Sequence, residues 1–207
     1  MKLACDLDGV LASFTDAYTS LLISISGRDL FPKDFLLNPA FPPEWDYDRR
    51  FGYTEGEISE TWQRIKESED FWQELYPLPG AYAAVKQLDW LAASGHHVYF
   101  LTSRAGKTAK RQSEQWLSGL GMACPTVLVV EHGWEKIRLV QGLNVNTFID
   151  DCGTTVRDVA ICVENKAYAV CGHLYLYSQP YNDWLRRPDI KVVGSMREWL
   201  REEGVWP

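Results

Sequence analysis

The chain has 207 residues, of which 46% are hydrophobic and 24% charged, as in ordinary globular proteins. Its formal charge of −7 argues against a nucleic-acid polymer as the main partner, because proteins that bind such polymers present a broad basic surface. The five cysteines form no CxxC pair, so neither a zinc site nor a disulfide framework is indicated.

Neither a leader nor a membrane span is predicted. Asp6 and Asp8 interrupt the apolar run near the N-terminus, which excludes the apolar core of a signal peptide. No run approaches the roughly 18 apolar residues that a membrane span needs. We therefore expect a reduced, cytoplasmic setting and no membrane partner.

Five short apolar segments are predicted to be strands, at 2–6, 97–102, 126–131, 146–151 and 166–171. Most of them do not alternate with polar residues, which is typical of strands covered on both faces. Helical patterns lie between or after them, at 79–95, 108–121, 134–143, 154–160 and 195–204. Strands that alternate with helices predict a three-layer α/β, Rossmann-like domain with a mostly parallel sheet.

One stretch, residues 15–78, is too long for an ordinary crossover between two strands. Within it, Thr54 and Glu57 have the spacing of a capping box, which predicts the start of a helix. We therefore expect residues 15–78 to form a small helical cap over the sheet edge. Residues 1–14 and 79–207 would then form the catalytic core.

Three of the predicted strands end in residues suited to phosphate chemistry. The endings are Asp6-Leu7-Asp8, Thr102-Ser103-Arg104 and Asp150-Asp151. The carboxyl ends of parallel strands face one crevice, so these side chains should converge there. A single DxD is explained equally well by turn and cap hydrogen bonds, but three matched endings favour a site.

Clustered carboxylates repel one another, and a hard divalent cation is one reason to tolerate them. Mg²⁺ takes oxygen ligands from carboxylates, phosphates and water. Such a cation would leave Asp6 as a nucleophile towards phosphorus. Asp8, two residues later, points elsewhere and could act as acid and base.

The motifs "DLDGVL", "LTSR", a downstream lysine and "FIDD" resemble, in this order, the four motifs of the haloacid dehalogenase superfamily. The second acid is typical of the phosphatase branch. Two further stretches, "FWQELYPLPGAYAAVKQL" and "YSQPYND", are similar to segments of the 5′(3′)-deoxyribonucleotidases. The resemblance implies Mg²⁺-dependent hydrolysis of a (deoxy)nucleoside monophosphate through an aspartyl-phosphate.

The resemblance also implies a role for each matching residue. Asp6 would be the nucleophile and a Mg²⁺ ligand, and Asp8 the acid/base that gives its backbone carbonyl to the metal. Asp151 would be the direct ligand from the fourth motif, with Asp150 beside it. The phosphoryl group would be bound by Thr102, Ser103 and Lys136.

Several points stay open at the level of sequence. Lys107 is an alternative to Lys136, because the spacing to Asp150 is loose in the family. Arg104 departs from relatives that often have proline there, and it would add positive charge near the phosphate or near a second anionic group. Phe14, Phe71 and Trp72 could stack on a base or form the core of the cap.

The function also has alternatives. A phosphatase of another small phosphate monoester, such as a sugar phosphate, would use the same motifs. A non-catalytic nucleotide-binding protein would keep the fold but would be free to lose the acids. Whether the chain forms a homodimer is left open.

Overall fold

In the computed structural model of the protein, the residues described are 1–32, 35, 46–164 and 172–206. They form a three-layer α/β structure around a six-stranded sheet in which every neighbouring pair is parallel. The strands are β1 (Lys2–Cys5), β2 (His97–Thr102), β3 (Val127–Val129), β4 (Thr147–Asp150), β5 (His173–Tyr177) and β6 (Ile190–Val193). The fold class predicted from the sequence is confirmed.

The spatial order of the strands is β3-β2-β1-β4-β5-β6. The chain therefore builds outward from β1 in one direction, and then crosses over to place β4 on the other side of β1. A crevice opens at such a switch point, beyond the carboxyl ends of the strands. The topology thus brings the residues that follow β1, β2 and β4 to one edge of the sheet.

The helices in the described residues are α1 (Phe14–Ser26), α2 (Tyr47–Arg50), α3 (Glu55–Glu67), α4 (Ala81–Ala93), α5 (Ala109–Gly119), α6 (Lys136–Leu143), α7 (Gly153–Glu164) and α8 (Met196–Glu202). Two short 3-10 turns are also present, at Gly133–Glu135 and Pro180–Asn182. The five helices predicted from the sequence correspond to α4 to α8. None of the helices in the described ranges is long and apolar enough to cross a membrane.

The predicted strands are confirmed in the first four cases. The fifth prediction, at 166–171, lies outside the described residues. The sequence analysis did not anticipate β5 and β6. Strand β6 has only four residues and includes the exposed Lys191, and it lies at the sheet edge, where one side of the strand needs no partner. Such a short segment carries little apolar signal.

The insertion between β1 and α4 contributes α1, α2 and α3. The capping box is present as predicted: the Glu57 N–H donates to Thr54 Oγ1 at 3.3 Å, and the Thr54 N–H donates to Glu57 Oε2 at 2.7 Å. Two orphan N–H groups at the start of α3 are thereby satisfied. The division of the chain into a cap and a core domain stays a prediction.

The two linkers of the insertion hydrogen-bond to each other. The Ser13 N–H donates to Tyr76 O at 2.8 Å, and the Leu78 N–H donates to Leu11 O at 2.7 Å. The chain therefore leaves and re-enters the sheet at one place, next to the end of β1. This pairing fixes the base of the insertion beside the residues that follow β1.

Alternate residues of the strands enter two hydrophobic clusters. Leu3 belongs to one cluster and Ala4 to the other, as expected when successive side chains point to opposite faces. The first cluster continues into the insertion through Tyr18, Ile58 and Trp72. The insertion therefore packs onto one face of the sheet rather than forming an isolated core.

Candidate active site

Asp6 follows β1 directly, where the apolar run of that strand ends. Its backbone N–H donates to Ile149 O at 3.0 Å and so extends the pairing of β1 with β4. The residue is buried, and its Oδ1 accepts a hydrogen bond from the Leu7 N–H at 2.7 Å. The sheet therefore holds this carboxylate at a fixed place on its carboxyl edge.

Lys136, the first residue of α6, places its ammonium between two carboxylates. Its Nζ lies 2.7 Å from Asp6 Oδ2 and 2.9 Å from Asp150 Oδ2, and all three side chains are buried. Burial lowers the pKa of Lys136, but the two carboxylates outweigh burial and raise the pKa overall. Lys107, the alternative to Lys136, is exposed and is not among the residues that line the cavity around Asp6.

Asp6, Asp150 and Asp151 form a buried cluster in which one carboxylate oxygen of each lies within 4.8 Å of the others. Burial and, second, the neighbouring Asp150 raise the pKa of Asp6 well above its usual range, although Lys136 opposes them. The same two causes raise the pKa of Asp151 to about 7. The ionised forms of Asp6 and Asp151 are therefore disfavoured, and Lys136 offsets this only in part.

The chemistry of these donors fits Mg²⁺. When all three acids are ionised, three carboxylates face the one ammonium of Lys136, which leaves two negative charges to be balanced. Mg²⁺ supplies two positive charges and prefers oxygen ligands. We call Asp6, Lys136, Asp150 and Asp151 the catalytic floor.

Asp8 lies two residues after Asp6 but faces a different environment. Its carboxylate accepts hydrogen bonds from Arg104 Nη2 to Oδ1 at 2.8 Å and from Arg104 Nε to Oδ2 at 3.0 Å and to Oδ1 at 3.2 Å. The Thr102 hydroxyl donates to Asp8 Oδ2 at 3.3 Å. The Asp8 side chain is 20% exposed, against 7% for Asp6. The two acids are thus held apart in orientation and in solvent access.

Arg104, which the sequence places near the phosphate or near a second anionic group, pairs with Asp8, and its role towards a substrate stays a prediction. Its guanidinium forms the bidentate pair with Asp8, and its Nη1 donates to Ser113 Oγ at 3.0 Å. The guanidinium also lies over the rings of Trp72, at 5.1 Å, and Trp116, at 5.8 Å. A planar cation stacks on aromatic faces and matches a carboxylate with two donors, so these partners hold it inside the protein.

Gly9 allows the tight turn between Asp8 and the start of the insertion. Its backbone has φ +76, in the left-handed region that favours glycine. A Cβ at this position would collide with the carboxylate of Asp151 and the hydroxyl of Tyr181. The loops after β1 and β4 therefore approach each other closely only because residue 9 has no side chain.

The insertion faces the floor with three aromatic rings, which we call the cap wall: Phe14, Trp62 and Trp72. The Phe14 ring stacks on Trp62, with centroids 5.6 Å apart and 26° between the planes, and on Trp72, at 5.6 Å and 21°. Phe14 and Trp62 are partly buried, and Trp72 is buried. The cap wall is therefore a stacked cluster with part of its surface open.

Ser103 and Phe71, both predicted to bind substrate, differ in whether they line the cavity. Ser103 is exposed and lines the same cavity as Asp6. Phe71 does not line that cavity; its ring contacts Phe14 and Trp72 edge-on, with centroids at 6.3 and 5.0 Å. Phe71 thus packs against the cap wall outside the cavity, and a contact with substrate stays a prediction.

The floor and the cap wall enclose a cavity of about 120 Å³. Its lining consists of Asp6, Asp8, Phe14, Trp62, Trp72, Thr102, Ser103, Gly133, Lys136, Asp151, Cys152 and Thr155. A wider groove of about 930 Å³ is lined in part by residues adjacent in sequence to those of the cavity, Arg104 and His132, and also by Lys107. The small cavity can take a phosphoryl group, and the groove offers room for the rest of a larger molecule.

Sequence reasoning missed Trp62 and the turn after β5. Trp62 lies on α3 at helical spacing from Ile58 and Ile65, a signal that indicates a buried helix face but not a site. Tyr181 donates a hydrogen bond from its hydroxyl to Asp151 Oδ2. At the level of sequence, the stretch "YSQPYND" that contains Tyr181 carries only a family resemblance and predicts no contact.

No family model matches the sequence, and neither does any curated protein. Solved structures do match it over nearly the whole chain. One is a proposed phosphoglycolate phosphatase from Lactobacillus plantarum, with a TM-score of 0.60, 14% identity and 97% of each chain covered. Another is a proposed β-phosphoglucomutase from Thermotoga maritima, with a TM-score of 0.55, 14% identity and 98% of each chain covered.

A third is a proposed haloacid dehalogenase-like hydrolase from Burkholderia xenovorans, with a TM-score of 0.57 and 13% identity. The match covers 99% of this chain and 97% of that one. Structural similarity at such low sequence identity supports a shared fold but does not identify the substrate. The chain is thus similar, over nearly its whole length, to the fold of haloacid dehalogenase-like hydrolases.

Proposed function

We propose that the protein is a Mg²⁺-dependent phosphatase that forms an aspartyl-phosphate on Asp6. The observation that carries the proposal is the catalytic floor, in which Lys136 bridges Asp6 and Asp150 beside a third buried acid, Asp151. A second acid, Asp8, is held separately and is more exposed. A nucleophile and an acid/base need this kind of division between their environments.

In the first step, a carboxylate oxygen of Asp6 attacks phosphorus as the bond from phosphorus to the ester oxygen breaks. Lys136 favours the ionised form of Asp6 and contributes positive charge near the phosphoryl oxygens. Thr102 and Ser103, at the end of β2, bind the phosphoryl group. Asp8 donates its proton to the departing ester oxygen, so that the leaving group departs as an alcohol.

In the second step, Asp8 accepts a proton from water as the water oxygen attacks the aspartyl-phosphate. The bond between phosphorus and Asp6 breaks, which frees the carboxylate and releases inorganic phosphate. Asp6, Asp150, Asp151 and the backbone carbonyl of Asp8 would hold Mg²⁺, which supplies positive charge that offsets the charge of the phosphoryl oxygens.

The substrate we propose is a (deoxy)nucleoside monophosphate. The support is the cap wall, because aromatic rings stack on nucleobases with little dependence on base identity. A cavity of about 120 Å³ is smaller than the roughly 300–1,000 Å³ of typical ligand sites, so it can hold the phosphate end only. The nucleoside would extend past Phe14 and Trp62 or into the wider groove.

The alternative substrate is a sugar phosphate or another small phosphate monoester. Two observations favour it: the small volume of the cavity, and the names of the similar structures, one a proposed phosphoglycolate phosphatase and one a proposed β-phosphoglucomutase. In this case the rings of the cap wall would exclude water from the site rather than stack on a base.

The test is a phosphate-release assay with two panels, one of ribo- and deoxyribonucleoside 5′- and 3′-monophosphates and one of sugar phosphates and phosphoglycolate. Each panel is run with Mg²⁺ and with EDTA, and the Asp6→Asn variant is the control for contaminating phosphatases. We expect turnover that requires Mg²⁺ and is fastest on nucleotides. Turnover only of sugar phosphates would transfer the proposal to the alternative, and no turnover of either panel would contradict it.

A further inference from the structure

The turn that follows β5 has no part in the reaction as derived so far. It comprises Gln179, Pro180, Tyr181 and Asn182. Its first and last residues hydrogen-bond each other: the Gln179 N–H donates to Asn182 Oδ1 at 3.0 Å, and the Asn182 N–H donates to Gln179 O at 3.1 Å. Gln179 and Asn182 are each 1% exposed. The turn is therefore compact, and the side chains at its two ends are buried.

This turn contacts the loop after β4 twice. The Tyr181 hydroxyl donates to Asp151 Oδ2, and the Asn182 side-chain amide donates to Asp151 O at 2.8 Å. The same amide donates to Tyr177 O at 2.8 Å, which ties the contact back to β5. Residues of the turn after β5 thus hydrogen-bond both the carboxylate and the backbone carbonyl of Asp151.

The turn also contacts the loop after β1. The side-chain amide of Gln179 donates to Gly9 O at 2.7 Å, next to Asp8. Among the described residues, Gln179 Oε1 is buried without a hydrogen-bond partner. An unpartnered buried oxygen lowers stability, so a residue chosen only to stabilise this turn would not be expected to carry one. The cost is more easily understood if the contact with Gly9 serves the site.

We propose that the turn of residues 179–182 positions the cation ligands, with Tyr181 as the positioning residue for Asp151. The proposal rests on the Mg²⁺ site of the proposed function and adds to it an element that lies outside the four acids. A side chain that hydrogen-bonds a ligating carboxylate fixes its orientation, and removing such a partner typically weakens metal binding about 10- to 100-fold.

A purely structural role makes a different prediction. If the turn only fastened β5 to the rest of the sheet, loss of the Tyr181 hydroxyl would lower the melting temperature and leave the cation affinity unchanged. If the turn positions Asp151, the affinity falls, while the melting temperature measured in EDTA changes little. Cation affinity and cation-free stability therefore separate the two roles.

The experiment measures the Mg²⁺ dissociation constant of the full chain by isothermal titration calorimetry, without substrate, for wild type and Tyr181→Phe. Tyr18→Phe is the matched control, because Tyr18 also donates to an aspartate, Asp48 Oδ2 at 2.7 Å, but in the insertion and away from the floor. We expect about 10- to 100-fold weaker binding for Tyr181→Phe and no change for Tyr18→Phe.

The outcomes distinguish this proposal from the proposed function. A wild type that binds Mg²⁺ and turns over, with Tyr181→Phe of equal affinity, overturns the positioning role and leaves the function intact. A wild type that binds no Mg²⁺ overturns both. If Tyr181→Phe does not fold, Gln179→Met removes the contact with Gly9 O instead, and an unchanged affinity in that variant also overturns the proposal.

Discussion

The catalytic floor and the cap wall meet at one cavity but are built by different physics. Each charged group of the floor is fixed by at least one short polar contact, as in the pairs that Lys136 makes with Asp6 and Asp150. The cap wall has no such contacts between its members, and Phe14 and Trp62 are held by ring stacking and apolar packing. Trp72 stacks in the same way, and its Nε1–H also donates to Ala105 O at 2.8 Å.

This difference separates two demands on the site. Hydrogen bonds and ion pairs have narrow geometry, so the floor can fix atoms to the accuracy that the proposed displacement at phosphorus needs. Aromatic packing tolerates several arrangements, so the cap wall can change without disturbing the floor. We therefore expect variants of the floor to affect all substrates, and variants of the cap wall to affect substrates selectively.

The largest effect is expected for Asp6→Asn. An amide oxygen is a far poorer nucleophile than a carboxylate, and the neutral side chain no longer pairs with Lys136. Turnover of every substrate should fall by about 10⁴-fold or more, as for loss of a covalent nucleophile in other enzymes. Phosphate release together with acid-quench trapping of the phosphoenzyme measures it. A variant that kept a few per cent of wild-type turnover would contradict the covalent mechanism.

Asp8→Asn should have the next largest effect, and the effect should depend on the leaving group. Acid–base groups contribute about 10² to 10⁴ in rate, and the contribution matters most when the departing oxygen is basic. The loss of kcat should therefore be greater for a nucleoside monophosphate or a sugar phosphate than for nitrophenyl phosphate. Equal losses on both kinds of ester would argue against proton donation by Asp8.

Much of the site could be predicted from the sequence, because three apolar runs predict β1, β2 and β4 and the polar residues at their carboxyl ends are then known. Parallel strands bring their carboxyl ends together by topology alone, so Asp6, Thr102 and Asp151 had to lie close to one another. The sequence also predicted the capping box and the helices from α4 onward, since these depend on local patterns.

The sequence could not predict contacts between side chains that are distant in the chain and have several candidate partners. Arg104 and Asp8 are 96 positions apart, and Tyr181 and Asp151 are 30 apart. An arginine beside a phosphate motif can pair with the phosphate or with a neighbouring acid, and the sequence does not show that Trp72 and Trp116 pack around this guanidinium.

Arg104 links Asp8 to Trp72 of the cap wall, and its replacement tests whether Asp8 and the floor act separately. We expect Arg104→Met to lower kcat about 10- to 100-fold on esters with poor leaving groups, because Asp8 loses the bidentate pair with the guanidinium that orients it. Arg104→Lys should retain part of the rate, since it keeps the charge but cannot make the bidentate pair. Stopped-flow or steady-state rates on poor- and good-leaving-group esters measure the split.

The matched readout for Arg104→Met is Mg²⁺ affinity, which should stay at the wild-type value because the described contacts of Arg104 include none with Asp6, Asp150 or Asp151. A fall in affinity together with an equal rate loss on all esters would show that the variant disturbs the whole site. Arg104 would then be a residue of the core and not a positioning residue for Asp8.

The smallest effect is expected for Trp62→Ala in the cap wall. Base stacking on an aromatic ring is worth roughly 1–3 kcal/mol, and because Trp62 is only partly open we expect the low end, about fivefold in kcat/KM for a nucleotide. A small phosphate ester without a base should be hydrolysed almost as before. Trp90→Ala, at a 59% exposed tryptophan of α4 that does not line the cavity, is the control. Equal losses of kcat/KM on the nucleotide and on the ester without a base would show that Trp62 only shapes the cap wall. If, in addition, the wild type preferred sugar phosphates, the nucleotide assignment would be wrong.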